Sequence, residues 1–244
     1  MYAGEKVGSP NPVEAAGLAH GTLFGIRVAG FATEPDQGIP DNTPFSLYSF
    51  GDVSNTTGAA IEAASKANGV TAFKRPEDGA WDPSNPNDLY FVTTATFTGP
   101  SRLWRLRFTD GAQPERGGTI SMLLDGSEGQ HMLDNLTING RGTILLQEDP
   151  GVPAGDPNYL ASIWRYTIAS DRLERVARHD PARFVAGRED FLTQDEESSG
   201  IVDVSDILGE GWFLFDVQVP RPPSDPALVA GGQLLALHVP PRGR

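Results

Sequence analysis

Residues Glu77 to Ala95, EDGAWDPSNPNDLYFVTTA, followed by Ser101 to Phe108, SRLWRLRF, carry the pattern that decides the fold. Acidic and small residues open the stretch, and a polar turn runs from Asp82 to Asn87. The apolar run Leu89 to Val92 then reads as a buried strand. The return from Leu103 to Phe108 alternates apolar and charged side chains, as a strand does when its two faces meet different surroundings.

The same order recurs twice. LDNLTINGRGTILLQEDPG (133–151) leads into SIWRYTI and RLERVARHD, and SGIVDVSDILGEGWFLFDVQ (199–218) leads into GGQLLALHV. A repeat of this length predicts repeated supersecondary units, here all-β. The strands fit the blades of a β-propeller, whose inner strands line a channel while Trp-bearing outer strands face solvent. A β-sandwich would give similar spacing. The Asp-Gly or Asn-Gly turn recurring before the apolar strand, with a Trp-Arg strand following, favours the propeller. MYAGEKV and GTLFGIRVAGF read as strands of a further blade. Residues 1–244 are therefore expected to form a single propeller domain with about three to four visible blades, or the C-terminal portion of a larger one. One helix is predicted, GAAIEAASKAN (58–68), inserted between strands. Ile61 and Ala64 would face a core and Asn68-Gly69 would end it.

Acidic residues outnumber basic ones 32 to 19, for a formal charge of −13, and no basic run relieves the balance. Nucleic acid and anionic membranes are excluded as natural partners, whereas divalent cations suit such a surface. The chain has no cysteine, which rules out disulfides and thiolate metal sites within it. Its first residues have neither a basic nor an apolar segment of the secretory type, and no apolar run approaches the ~20 residues of a membrane span.

Acids at the ends of inner strands would converge on one mouth of a propeller. The candidates are Glu77 and Asp78, Asp134 with Asn135, Glu148 and Asp149, and Glu196 and Glu197. Oxygen donors of this kind suit Ca²⁺. Glu77 and Asp134 stand beside inner strands and are favoured. Glu148-Asp149 precedes Pro150-Gly151, where a plain turn competes, and Glu196-Glu197 lies in QDEESSG, where a solvated loop competes. No HExxH, GxSxG or glycine-rich nucleotide loop is present. His20, His131, His179 and His238 stand alone in the sequence, although His131 is close to Asp134.

Taken in order, YAGEK, AAGLAHGTLFGIRVAG, FKRPEDGAWDPSNPNDLYFVTT, SRLWRLRF and LDNLTINGRGTILLQED resemble the C-terminal portion of the PhoX-type alkaline phosphatases over most of the chain. The resemblance implies a phosphomonoester hydrolase on a propeller, with Ca²⁺ and Fe³⁺ clustered at its mouth, exported behind a twin-arginine leader. It implies that Arg75 binds substrate phosphate, that Glu77 bridges metals and that Asp134 is a later metal carboxylate. Lys6 would lie near phosphate and Glu5 near a metal. Such chemistry fits the residue types, because phosphoryl transfer needs charge neutralisation and positioning more than a special base. The sequence departs from the family at its iron site, which takes a cysteine from an upstream segment. Two other readings stand beside this one: a calcium-dependent propeller lactonase or esterase, and a calcium-binding propeller without catalysis.

Overall fold

A computed structural model describes residues 1–4, 8–149, 156–220 and 231–241. The described chain is mostly antiparallel β-structure. It divides into two compact units, Met1–Phe73 with Leu106–Ser121, and Lys74–Arg105 with Met122–Arg244. No helix among the described residues is long and apolar enough to cross a membrane.

The first unit is built on β1 (Tyr2–Gly4), β2 (Gly21–Val28) and β3 (Thr43–Gly51), paired in that order. The predicted helix forms at Gly58–Ala67. The Thr57 side chain accepts from the Ala60 N–H at its start, and Asn68 followed by left-handed Gly69 (φ 67°) ends it. Ile61 and Ala64 are half-buried on its inner stripe, as their spacing requires. Phe45 meets Phe108 edge to face, ring centroids 5.1 Å apart. At Gly118 an added Cβ would stand 2.0 Å from the Arg107 carbonyl oxygen, so only glycine admits this close approach.

The second unit contains the second and third repeats and most of the first, and each repeat folds as a run of neighbouring strands. The first comprises β4 (Pro76–Trp81), β5 (Asp88–Thr93), β6 (Arg102–Phe108) and β7 (Gly118–Leu124), in the order β4-β5-β6-β7; the ends of β6 and the start of β7 belong to the first unit. The second comprises β8 (Leu133–Ile138), β9 (Thr143–Glu148), β10 (Ser162–Thr167) and β11 (Arg172–Arg178). The third comprises β12 (Glu197–Asp203), β13 (Trp212–Val219) and β14 (Gly231–His238).

Packing follows from β9, an apolar run buried on both faces. Ile144 and Leu146 pack with Tyr90, Val92 and Leu103 of the first repeat. Leu145, on the opposite face, packs with Ile201, Phe213 and Phe215 of the third. Each such side chain contributes roughly 1.5–3 kcal/mol by leaving water. The middle sheet is thus covered on both sides.

The repeats also share an irregularity in register, and the first two share more. Each first strand carries a one-residue irregularity in register, between Pro76 and Gly79, between Leu133 and Asn135, and between Ser199 and Val202. Each of the first two is preceded by a non-glycine residue at positive φ, Arg75 (56°) and Met132 (43°). The carbonyls of those residues accept from Thr94 N–H (2.9 Å) and Asp149 N–H (3.0 Å) respectively. Asp78 then accepts the Leu136 N–H at 3.0 Å, as Asn135 accepts the Gly200 N–H at 2.6 Å. First strand therefore clasps first strand, twice, by the same device.

The expectation that the tryptophans of the returning strands face solvent is corrected. Trp104 is fully buried, its indole N–H donating to Thr93 Oγ1 at 3.1 Å, and Trp164 is half-buried, donating to Glu148 Oε1 at 2.8 Å. A ring whose one polar atom is satisfied can be buried without penalty.

Candidate metal centre

The register irregularities place the acids. Asp134 is the extra residue of β8 between paired Leu133 and Asn135, so its side chain leaves the regular alternation of the strand. Asp149 follows the end of β9, and Glu197 opens β12. One carboxylate oxygen from each of Asp134, Asp149 and Glu197 lies within 4.8 Å of the others, and all three residues are half-buried. Asn135 Nδ2 donates to Asp134 Oδ2 at 3.1 Å, fixing that carboxylate.

Three negative groups so close oppose one another. Burial pushes the Asp134 carboxyl above its ordinary range, and the charges of Glu77 and Asp149 push it further. Asp149 is raised by burial and then by Asp195. Glu197 rises to about 7, through burial first and then through Asp149 and Asp134. Arg75 works against these shifts at Asp134 and Asp149. Its guanidinium lies 3.6 Å from Glu77, Nη2 to Oε1.

Of the residues singled out in the sequence, Arg75, Glu77, Asp134 and Asp149 thus meet in one electrostatic neighbourhood. Glu5 and Lys6 lie outside the described residues. Glu148 is directed elsewhere. It is fully buried and accepts four hydrogen bonds, from His131 N–H, Tyr159 O–H and Trp164 Nε1–H on Oε1 and from Ser162 N–H on Oε2. Its pKa is pushed up to about 7 by burial, with those four bonds pulling down. Its place is that of a sheet-locking group, matching Thr93 in the first repeat. Glu196 is buried as well and accepts from the Ala161 N–H at 3.3 Å. Asp78 serves the strand-to-strand clasp.

Glu197 completes the trio, yet the third repeat as read from sequence begins at Ser199. The available signal was the position of an acid at the opening of an inner strand, which Glu197 shares with Glu77 and Asp134.

No family model, curated protein or solved structure matches this chain.

Proposed function

We propose that the chain is a PhoX-like, metal-dependent phosphomonoester hydrolase whose three repeats are blades of a β-propeller. The observation that carries the reading is the convergence of Asp134, Asp149 and Glu197 within 4.8 Å beside Arg75 and Glu77. The propeller reading is supported by the recurring clasp between successive first strands and by sheets stacked face to face about β9.

The donors fit Ca²⁺. They are oxygens only, from three carboxylates whose burial and mutual repulsion are relieved by a divalent cation. Fe³⁺, implied by the family resemblance, is the second ion to test. A bound cation would supply charge neutralisation for the phosphoryl group.

The chain's own residues do the rest. Arg75 offers a planar fork of donors to two phosphate oxygens. Glu77, 3.6 Å away, orients that fork. Arg75 holds φ 56°, a conformation that costs a non-glycine residue about 1–2 kcal/mol. Export follows from the same family resemblance and is part of this proposal.

The test is calorimetric titration of the chelator-stripped chain with Ca²⁺, with wild type beside Glu197→Gln, joined to hydrolysis of p-nitrophenyl phosphate. Ca²⁺ binding that is lost in the variant, and hydrolysis that needs both Ca²⁺ and Arg75, are expected. Ca²⁺ binding with neither hydrolysis nor inorganic-phosphate binding would replace the enzyme with a calcium-binding propeller. Hydrolysis of a lactone alone would favour the esterase reading. Absence of any Ca²⁺ or Fe³⁺ binding by the folded chain sinks the proposal.

A further inference from the structure

A second feature of the same unit lies on the other side of β12. Successive side chains of a strand point to opposite faces, so Ser198 turns away from the face that carries Glu197. It borders a cavity of about 660 Å³, within the range of small-molecule sites, roughly 300–1,000 Å³. The wall is largely apolar, with Ile163, Phe184, Leu192, Phe215, Val217 and Leu235.

Two observations make this more than a gap between sheets. Ser198 is 1% exposed, and its hydroxyl is buried with no hydrogen-bond partner among the described residues. A buried hydroxyl left unpaired is costly, and a ligand oxygen reaching it would remove that cost. The second observation is charge. Arg178 and Arg183 border the cavity in a protein of net charge −13, and His179 beside them is kept neutral by burial. Asp180 there stands 3.9 Å from Arg183, while Arg178 has no ion-pair partner among the described residues. The local balance is positive, against the sign of the whole molecule.

We propose that this cavity binds a small amphipathic carboxylate carrying a hydroxyl or keto oxygen, with its hydrocarbon body on the apolar wall, its carboxylate at Arg178 and its second oxygen at Ser198. An apolar wall with few convergent polar groups is the usual composition of such sites. A cationic rim selects an acid over the matching alcohol. The site is separate from the carboxylate trio and does not depend on the proposed hydrolase.

The experiment is isothermal titration of the full chain in EDTA, which sets aside any metal site, with decanoate, hydroxydecanoate and decanol below their aggregation limits. Decanoate is expected to bind one per chain, at least tenfold tighter than decanol. That advantage disappears in Arg178→Gln, whose exposed side chain leaves the melting temperature unchanged. Hydroxydecanoate gains a further severalfold over decanoate in wild type and loses the gain in Ser198→Ala. Ala177→Phe, which fills the cavity, removes binding; should it fail to fold, Arg178→Gln still decides. No saturable binding, equal affinity for acid and alcohol, or full affinity in Arg178→Gln overturns the proposal.

Discussion

Asn135 Oδ1 accepts the backbone N–H of Gly200 at 2.6 Å, and through this bond the second repeat holds the start of the third. The same oxygen accepts the Ser199 hydroxyl at 2.7 Å, while Asn135 Nδ2 donates to Asp134. One amide therefore joins two sheets and steadies a carboxylate of the proposed metal centre. Asn135→Ala removes the acceptor of one exposed and one half-buried donor and is expected to cost about 0.5–1.5 kcal/mol. Thermal unfolding with and without Ca²⁺ checks this: the variant should melt lower in both conditions and gain less from Ca²⁺ than wild type. An unchanged melting temperature would show that the clasp carries no stability.

Arg75 combines a strained backbone with the proposed phosphate contact, so stability and function should separate there. Arg75→Gly relieves the left-handed conformation and gives back part of the gain as unfolded-chain entropy. Stability is expected to be unchanged or to rise by up to ~1 kcal/mol. Inorganic-phosphate affinity should fall at least tenfold. A variant that is strongly destabilised, or that binds phosphate as wild type does, contradicts the role assigned to this residue.

Glu148 satisfies four donors at once, and no neutral isostere can do so. In Glu148→Gln an amide NH₂ must face one of the backbone or side-chain donors, so about 1–3 kcal/mol should be lost. The environment of Trp164 changes with it, and its fluorescence is the readout that ties the loss to this site. If denaturant midpoints of variant and wild type coincide, the four bonds are not worth what their burial implies.

His179 supplies the pH test. Burial pulls its pKa from 6.5 down to about 4, and its ring packs edge-on against Phe184 with centroids 5.2 Å apart. Between those two values the unfolded chain binds the proton and the folded chain does not. Stability contributed by the neutral ring is therefore complete above about pH 6.5 and is lost as pH falls toward 4. The loss is at most about 3 kcal/mol. His179→Gln should show a shallower fall in melting temperature between pH 7 and pH 4.5 than wild type, both measured in the same buffers. Parallel curves would mean that the ring is not held neutral by its surroundings.

Much of this was readable along the chain because its causes are local. Alternation with period two marks a strand wherever it stands, and Asp82 to Asn87 makes its turn through its own side chains, with Ser84 N–H and Oγ donating to Asp82 Oδ1. Thr57 and Asn68 bracket the helix by caps that need no distant partner. The three repeats and the acids beside inner strands, Glu77 and Asp134, are read from the sequence for that reason; Asp149 is balanced there against a plain turn, and the role given to Arg75 comes from the family resemblance.

What tertiary structure decided depends on one-residue differences and distant partners. A single extra residue in β8 turns Asp134 out of register and toward Asp149. Glu148 and Asp149 are adjacent, yet one is consumed by four donors from His131, Tyr159, Ser162 and Trp164 while the other joins the trio. Trp104 is buried because Thr93 happens to reach its indole N–H. Glu197 and Ser198 differ in surroundings only because successive side chains of β12 meet opposite faces, one with carboxylates and one with a cavity. Composition and periodicity determined which strands this chain forms and which charges it carries; the bulges and the pairing of sheets decided which of those charges share a site, since register is a property of two strands and not of one.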